Sequence, residues 1–448
     1  MRTKYIKFMV TGVVAASLAA CSLDTAPISS PSELTEGRQN DTVTAVLKDR
    51  DAAVSQRTAI YQLFKNRQEH MHLDYVLLGE SHADNAYAGT TGQETIPLET
   101  NALDAATGTL ARDWSRYLED IAKANVLING VEQLKDKGLI SDGDYRQWRA
   151  EGQIFRALLM FRMVRMWGSL PVITKVAQTI TSGNIKEVYP TYFPPRSTTE
   201  ECYRQIISDL EYAEQNAPGI SGTDRTIMSK TVAQALLCKV YAEKAVQDYD
   251  KVIAYAEKVS DTPGVVLEED FSTLWGWDNT KKDCVKRNTG EGILEVQWLP
   301  GGGNWESWMY GRSLENYDNS FTWAKWVTPS RDLIKAYASK GDVQNSARLV
   351  NMIRKRAKLN DLTADQTSTK EKMMEAVLHE RRLELAMEGE RWYDLCRYGK
   401  VEEVMNTLKN RDSGRLALAR PYDINSYLMP IPQTALDENE NLRQNPGY

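Results

Sequence analysis

Carboxylates recur at helical spacing near the C-terminal end of the chain, within residues 380–397. Glu380, Glu384 and Glu388 follow each other at i, i+4, and the interleaved basic residues are Arg381, Arg382, Arg391 and Arg397. Paired carboxylates can act as a general acid and a general base. The same pattern also forms charge networks that hold one helix against another. We expect the second role here.

Histidines are concentrated in one early stretch of the chain. His70, His72 and His82 fall within thirteen residues, and Glu80 lies among them. Imidazole nitrogen and carboxylate oxygen are zinc ligands, but the stretch has no HExxH spacing, and His379 has no second histidine after it. The surrounding sequence is typical of a helix end and a loop. We therefore expect solvated or capping histidines and no metal site.

Motifs for nucleophilic catalysis or phosphate binding are absent from the sequence. There is no GxSxG, and the run Gly301-Gly302-Gly303 is not followed by a helix start, as a phosphate loop requires. Four cysteines follow Cys21, and no two of them form a CxxC pair: Cys202, Cys238, Cys284 and Cys396. The sequence therefore predicts no catalytic residue and no cofactor.

Tryptophans are the strongest candidates for a binding function. Seven of the eleven lie within residues 261–328: Trp275, Trp277, Trp298, Trp305, Trp308, Trp323 and Trp326. A flat indole ring can stack on the apolar face of a sugar, although core packing under long loops is the alternative. Trp298 lies in a stretch where apolar and polar residues alternate, and Trp326 precedes a predicted helix. We expect both to pack inside the protein. The residues among Gly, Asn and Asp are expected to contact a ligand: Trp275, Trp277, Trp305, Trp308 and Tyr310.

The N-terminus has the features of an export signal. Arg2, Lys4 and Lys7 precede a short apolar run, which ends in Leu18-Ala19-Ala20-Cys21. Small residues before a cysteine are typical of the lipobox of bacterial lipoproteins, so we expect lipidation of Cys21. The alternative is an ordinary signal peptide with a chance cysteine. Residues 22–40 are rich in Ser, Thr and Pro, which predicts a tether.

Composition and periodicity indicate a helical globular body. The 448 residues are 42% apolar and 26% charged with a net charge of -6, which excludes a disordered or multi-span membrane chain and argues against nucleic acid as the main partner. Apolar residues recur every three or four positions. The predicted fold is all-α, an α-solenoid of tetratricopeptide-like helix pairs with irregular insertions at 72–108 and 261–328. Helices are expected over about 41–64, 114–128, 153–167, 198–216, 228–241, 331–340, 344–358, 369–390 and 391–408.

Four blocks of the sequence resemble the SusD/RagB family of outer-membrane lipoproteins of Bacteroidota. They are CSLDTAP at 21–27, AEGQIFRA continuing through VRMWGSLPV at 150–172, ERRLELAMEGERWYDL at 380–395, and LMPIPQ followed by NLRQNPGY at 428–448. One departure is that Lys340-Gly341-Asp342 runs almost directly into residues 346–351, where family members usually have a long segment. The resemblance therefore indicates an unusually short member, either a natural variant or an internally truncated chain.

The resemblance implies a function in nutrient capture. Such a protein binds an oligosaccharide at the cell surface and delivers it to a TonB-dependent transporter of the SusC kind. Known members bind sugar with the 261–328 region and with an early loop, which here contains Asp84, Asn85 and Tyr87. Peptide capture, as in relatives of the RagB type, and a structural transporter lid without its own ligand are the alternatives, and a glycoside hydrolase is a more distant one.

The expected organisation follows from these observations. The predicted segments are a signal peptide at 1–20, a tether at 21–40, an N-terminal helical region at 41–260, the Trp-rich loop region at 261–328, and a C-terminal helical region and cap at 329–448.

Overall fold

The computed structural model describes most of the chain from residue 46 onward. The described residues are 46–88, 95–270, 274, 277–278, 280–281, 283–297, 328–329, 351, 354–355, 358–366 and 368–448. The predicted signal peptide, Cys21 and the tether lie outside them. So do the helix predicted at 331–340, most of the helix predicted at 344–358, the short junction after Lys340, and Trp298 and Trp326.

Eight helices form the main framework of the described residues. They are α1 Arg50–Asn66, α2 Gly108–Asp136, α3 Asp142–Trp167, α4 Thr199–Asn216, α5 Lys230–Tyr241, α6 Tyr249–Ser260, α7 Lys370–Glu384 and α8 Arg391–Arg397. Shorter helices lie at Asp74–Val76, Ile96–Glu99, Ile185–Val188, Val401–Met405, Leu408–Arg411 and Gln433–Glu438. Single turns of 3-10 helix occupy Tyr189–Tyr192 and Ile424–Tyr427, and single turns of π-helix occupy Glu69–Leu73 and Leu77–Ser81.

Consecutive helices pack on one another in a row. Helix α1 packs on α2, α2 on α3, α3 on α4, α4 on α5, and α5 on α6. The core between them is continuous, and at its centre Trp114 and Trp167 meet edge to face with ring centroids 5.3 Å apart. The all-α, tetratricopeptide-like architecture that the periodicity predicts is confirmed. No helix among the described residues is long and apolar enough to cross a membrane.

Helix ends follow local signals in the sequence. Thr198 caps α4 through a reciprocal pair with Glu201, in which each side chain accepts from the other residue's backbone N–H. Helix α3 ends at Gly168, whose φ of 73° is one that glycine adopts without strain. Both ends lie where the sequence predicts them.

Three predicted segments differ from the observed structure. Residues 72–81, predicted as the start of a polar loop, are short helical turns that are largely buried. The helix predicted over 369–390 ends at Glu384, because Met387 and Gly389 have φ of 69° and 80°. The helix predicted over 391–408 is interrupted after Arg397 by Gly399, with φ of 64°.

The C-terminal segment returns to the N-terminal half. Asn445 donates to the backbone oxygens of Trp167 and Met429 at 3.0 and 2.7 Å, and the Met429 N–H donates to the oxygen of Met166 at 2.7 Å. These contacts join the chain end to the C-terminal end of α3, so two of the sequence blocks that carry the resemblance form one structural joint.

Four two-residue strands complete the described structure. They are β1 Ala86–Tyr87, β2 Trp277–Asp278, β3 Asp283–Cys284 and β4 Thr328–Pro329. They form two antiparallel pairs, β1 with β4 and β2 with β3.

Candidate functional site

The β1–β4 pair brings the two predicted binding regions together. Ala86 pairs with Pro329 and Tyr87 pairs with Thr328. Strand β1 is part of the early loop, and β4 lies where the Trp-rich region 261–328 ends. Regions separated by about half of the chain therefore meet through main-chain hydrogen bonds.

Tyr87 holds a half-buried position at this junction. Its hydroxyl donates to Oδ2 of Asp412 at 2.6 Å. The guanidinium carbon of Arg415 lies 5.0 Å from the centroid of the Tyr87 ring, within range of a cation–π interaction. Tyr87 therefore links the early loop to the segment that follows the helix Leu408–Arg411.

Arg415 is an unusual group within this junction. Its side chain is buried, at 3% exposure, and none of its three guanidinium nitrogens has a hydrogen-bond partner in the described part of the chain. A buried polar group without a partner costs about 1–3 kcal/mol, and more when it is charged. Arg415 therefore retains unused donor capacity beside the early loop. Arg415 could not be predicted from the sequence, because residues 413–420 contain no pattern typical of a site.

Asp84 lies in the interior rather than on a surface. Its carboxylate binds Arg391 at 2.6 Å and Arg382 at 3.1 Å. Burial alone raises the pKa of Asp84, but the two guanidinium groups outweigh burial and hold that pKa below its usual value. The loop prediction placed Asp84 against a ligand, whereas its observed contacts are those of a structural ion pair.

Asn85 is also buried and fully engaged by the protein. Its Nδ2 donates to Oε2 of Glu80 at 2.7 Å, and its Oδ1 accepts from Nε of Arg382 at 2.7 Å. Both ends of the amide are used, so Asn85 offers nothing to a ligand in this structure. We therefore reassign Asp84 and Asn85 from direct ligand contact to holding the early loop in place.

Glu80 forms the centre of the joint that these residues build. Its Oε1 accepts from the backbone N–H groups of Gly389 and Glu390 at 2.9 and 3.1 Å, and its Oε2 accepts from that of Met387 at 3.3 Å. Burial raises the pKa of Glu80, while these backbone donors and Asn85 oppose the rise. The carboxylate thus binds the backbone that leads into α8, where the helix dipole favours a negative charge.

Close backbone contact is a condition of this joint. A Cβ on Gly79 would lie 2.0 Å from the backbone oxygen of Gly389, so only glycine fits at position 79.

The histidines near this joint differ from their prediction. The sequence predicts that they are solvated or capping, yet His70 and His82 are buried and hydrogen-bonded inside the protein. Within the described residues, no group of three or more His, Cys, Asp or Glu is placed to hold a metal ion.

The charged block at 380–397 joins elements, as predicted. Arg381 and Arg397 both bind Asp394, at 3.0 and 2.6 Å, and Glu380 pairs with Arg354. These contacts occupy the charges within the protein and connect α7 to α8. Of the three carboxylates at helical spacing, Glu380 takes part in this structural network.

The aromatic candidates are only partly described. The backbone of Trp277 lies in β2 and pairs with Cys284. Trp275, Trp305, Trp308 and Tyr310 lie outside the described residues, so their contact with a ligand remains a prediction.

Two family models match this chain. Residues 38–242 match a family described as "Starch-binding associating with outer membrane", and residues 333–448 match the SusD family. The chain belongs to the SusD/RagB family.

Similar proteins agree with this assignment. A SusD-like protein of Bacteroides ovatus is 26% identical over 309 residues, which cover 66% of this chain and 50% of that protein. The chain thus spans about half the length of that relative. A solved SusD superfamily protein of Bacteroides vulgatus superposes with a TM-score of 0.71 at 18% identity, covering 90% of this chain and all of that one. A laminarin-binding SusD-like protein gives 0.59 at 19% identity, with 90% and 100% covered.

The Glu80 joint connects the two matched segments of this SusD/RagB protein. Glu80 and Tyr75 belong to the first segment, whereas Gly389 and Glu390 belong to the second. The Tyr75 hydroxyl donates to Oε1 of Glu390 at 3.0 Å, and Arg165 of the first segment binds the same carboxylate at 2.8 Å. Buried polar contacts therefore hold together the two segments of this chain that match the family models.

Proposed function

We propose that the protein is a surface lipoprotein of the outer membrane that captures an oligosaccharide and delivers it to a SusC-like TonB-dependent transporter. The family description of starch binding and outer-membrane association supports this proposal. So does the similarity to a solved protein described as laminarin-binding. Capture involves binding alone, so no bond is made or broken and no cofactor takes part.

The observation that carries the proposal is the β1–β4 pair. It fixes the early loop, through Tyr87, next to the end of the Trp-rich region. An oligosaccharide is a chain of sugar rings, and several aromatic side chains together can stack on such a chain. We assign ligand contact to Trp275, Trp277, Trp305, Trp308, Tyr310 and Tyr87.

Arg415 complements these rings with hydrogen-bond donors. Its nitrogens have no hydrogen-bond partner among the described residues, and it lies against Tyr87. A sugar hydroxyl near Tyr87 would accept from this guanidinium. Asp84 and Asn85 act indirectly, because their buried contacts hold the loop in position.

Membrane attachment is assigned to Cys21. Diacylglycerol on its thiol, followed by the tether 21–40, would hold the helical body at the membrane. Metabolic labelling with a fatty acid tests this assignment. The wild-type chain should take up label and sediment with membranes, whereas Cys21→Ser should do neither. Equal labelling of both chains would contradict it.

Native electrophoresis in gels that contain polysaccharides tests glycan capture. The chain starting after Cys21 is run in separate gels with starch, laminarin, xyloglucan and other glycans, beside serum albumin as a non-binding control. Stacking with a few hydrogen bonds predicts an affinity of about micromolar to millimolar, which suffices for retardation. Retardation by one glycan supports the proposal. No retardation by any glycan, together with binding to a mixed peptide library, would replace it with peptide capture.

A further inference from the structure

A cavity of about 160 Å³ opens beside α8, between α3, α4 and the segment after α5. Pockets for drug-sized ligands have volumes of roughly 300–1,000 Å³, so this one suits a molecule no larger than a monosaccharide. None of its lining residues belongs to the early loop or to residues 261–328. An inference about it is therefore independent of the glycan proposal.

Unpaired donors line this cavity. Tyr393 is only 3% exposed, and its hydroxyl has no hydrogen-bond partner among the described residues. In the described part of the chain, Nε of Arg397 is also buried without a hydrogen bond, whereas Nε of Arg165 faces the Glu243 carboxylate at 3.3 Å. The other nitrogens of these arginines bind Glu390 and Asp394, at 2.8 and 2.6 Å. Two donors, the Tyr393 hydroxyl and Nε of Arg397, are thus left for an acceptor that enters from outside.

Cationic side chains outnumber carboxylates among the residues that line the cavity. Arg165, Arg397 and Lys244 line it, against a single lining carboxylate, that of Glu243. The Glu243 carboxylate lies 3.3 Å from Nε of Arg165, which offsets part of its repulsion of an incoming anion, and burial raises the pKa of Glu243.

The cavity mouth is open to solvent. Lys244 and Ala245, which line it, are exposed, whereas Tyr393 lies at the buried side. The rings of Tyr203 and Tyr427 also line the cavity. A small ligand could thus enter at Lys244, place its C–H groups against the rings and direct its acceptor atoms at the buried donors.

We propose that this cavity binds a small organic carboxylate of monosaccharide size or less. The carboxylate would accept from the Tyr393 hydroxyl and from Nε of Arg397. Two classes of molecule carry such a group at this size: a sugar acid, such as glucuronate, and a free amino acid. The cavity recognises the chemistry that they share, and the experiment separates the two.

Isothermal titration of the mature protein, produced without its lipid, tests the site. The probes are sodium glucuronate, sodium galacturonate, alanine and acetate, with glucose as the uncharged counterpart of glucuronate. Every titration is made at the same ionic strength, set with sodium chloride. Binding of glucuronate or of alanine, with no binding of glucose, is expected, and whichever binds identifies the class. Glucose binding as tightly as glucuronate, or no binding of any acid at millimolar concentration, overturns the proposal.

Tyr393→Phe locates the binding in this cavity. It removes only the unpaired hydroxyl, so the fold should persist, and one lost hydrogen bond predicts about fivefold weaker binding. Tyr422→Phe is the matched control, because the Tyr422 hydroxyl is also buried and unpaired within the described residues but does not line the cavity. Equal affinity of wild type and Tyr393→Phe, or equal losses in both variants, would overturn the assignment.

Discussion

Asp84 and Arg391 form a two-armed ion pair in the interior, with Oδ1 2.6 Å from Nε and Oδ2 3.2 Å from Nη2. The partners are 307 positions apart in sequence. Arg382 adds a second guanidinium 3.1 Å from the same carboxylate. The early loop is therefore fastened to the helices of the C-terminal region.

Removing the charge of Asp84 should destabilise the protein strongly. Asp84→Asn leaves two buried guanidinium groups without their carboxylate, which predicts a loss of about 3–5 kcal/mol in the free energy of unfolding. Denaturation by urea measures it. Asp365→Asn is the control, because Asp365 is 76% exposed in its pair with Lys372 and should change stability by less than about 1 kcal/mol. Similar losses in both variants would contradict the structural role of Asp84.

The acid sensitivity of the protein should change in the same variant. Because the arginines hold the pKa of Asp84 below its usual value, its contribution is complete above about pH 4, the pKa of an unfolded aspartate, and is lost as the pH falls further. The free energy of unfolding of Asp84→Asn should therefore depend less steeply on pH below 4 than that of the wild type. Parallel pH profiles would show that Asp84 is not the group responsible.

Two glycine-to-alanine substitutions test the close approach of the Gly79 and Gly389 backbones at the Glu80 joint. One should lower the stability of the protein and the other should raise it. Gly79→Ala would put a Cβ 2.0 Å from the Gly389 backbone oxygen, so a loss of about 3 kcal/mol or more is expected. Gly143→Ala, within α3, meets only the Ser141 side chain at 3.7 Å and should stabilise by about 0.5–1 kcal/mol. Thermal unfolding measures both. A neutral effect of Gly79→Ala would mean that the two backbones are not in contact.

Replacing Arg415 should separate stability from binding. Arg415→Met removes a buried charge without hydrogen bonds and keeps an apolar stem against Tyr87. We expect the free energy of unfolding to rise by about 1 kcal/mol, while glycan affinity falls. The paired measurements are urea denaturation and glycan titration. A destabilised variant would show that Arg415 has a structural partner, and unchanged affinity would remove it from the binding site.

His82 should remain neutral far below the usual range. Burial lowers its pKa to about 4, and its Nδ1 donates to the Leu98 oxygen at 2.7 Å. Its contribution to stability is complete above about pH 6.5 and is lost as the pH falls towards 4. With four histidines in the chain, NMR titration of the imidazole C–H signals is practical. The His82 signal should stay at its neutral position down to about pH 5, and a midpoint near 6.5 would contradict its burial.

Elements with strong local signals could be predicted from the sequence. Thr198 and Gly168 bound their helices where capping and breaking signals place them, and the apolar periodicity gave the helical architecture. The early loop shows the limit of such reasoning. Asp84 and Asn85 look like exposed loop residues, because nothing local reveals that Arg391 and Arg382 lie beside them. Contacts between residues some 300 positions apart leave no periodic pattern in the sequence. The same holds for Arg415, whose guanidinium has no hydrogen-bond partner among the described residues.

Glycan titration of tryptophan variants tests the central claim most directly. The glycan that retards the protein in gels is titrated into wild type, Trp275→Ala, Trp305→Ala and the control Tyr249→Ala, which removes an exposed aromatic ring on α6. Stacking worth about 1–1.5 kcal/mol per ring predicts roughly five- to tenfold weaker binding in at least one tryptophan variant, with wild-type affinity in the control. Unchanged affinity in both tryptophan variants, each folded, would contradict glycan capture by the Trp-rich region.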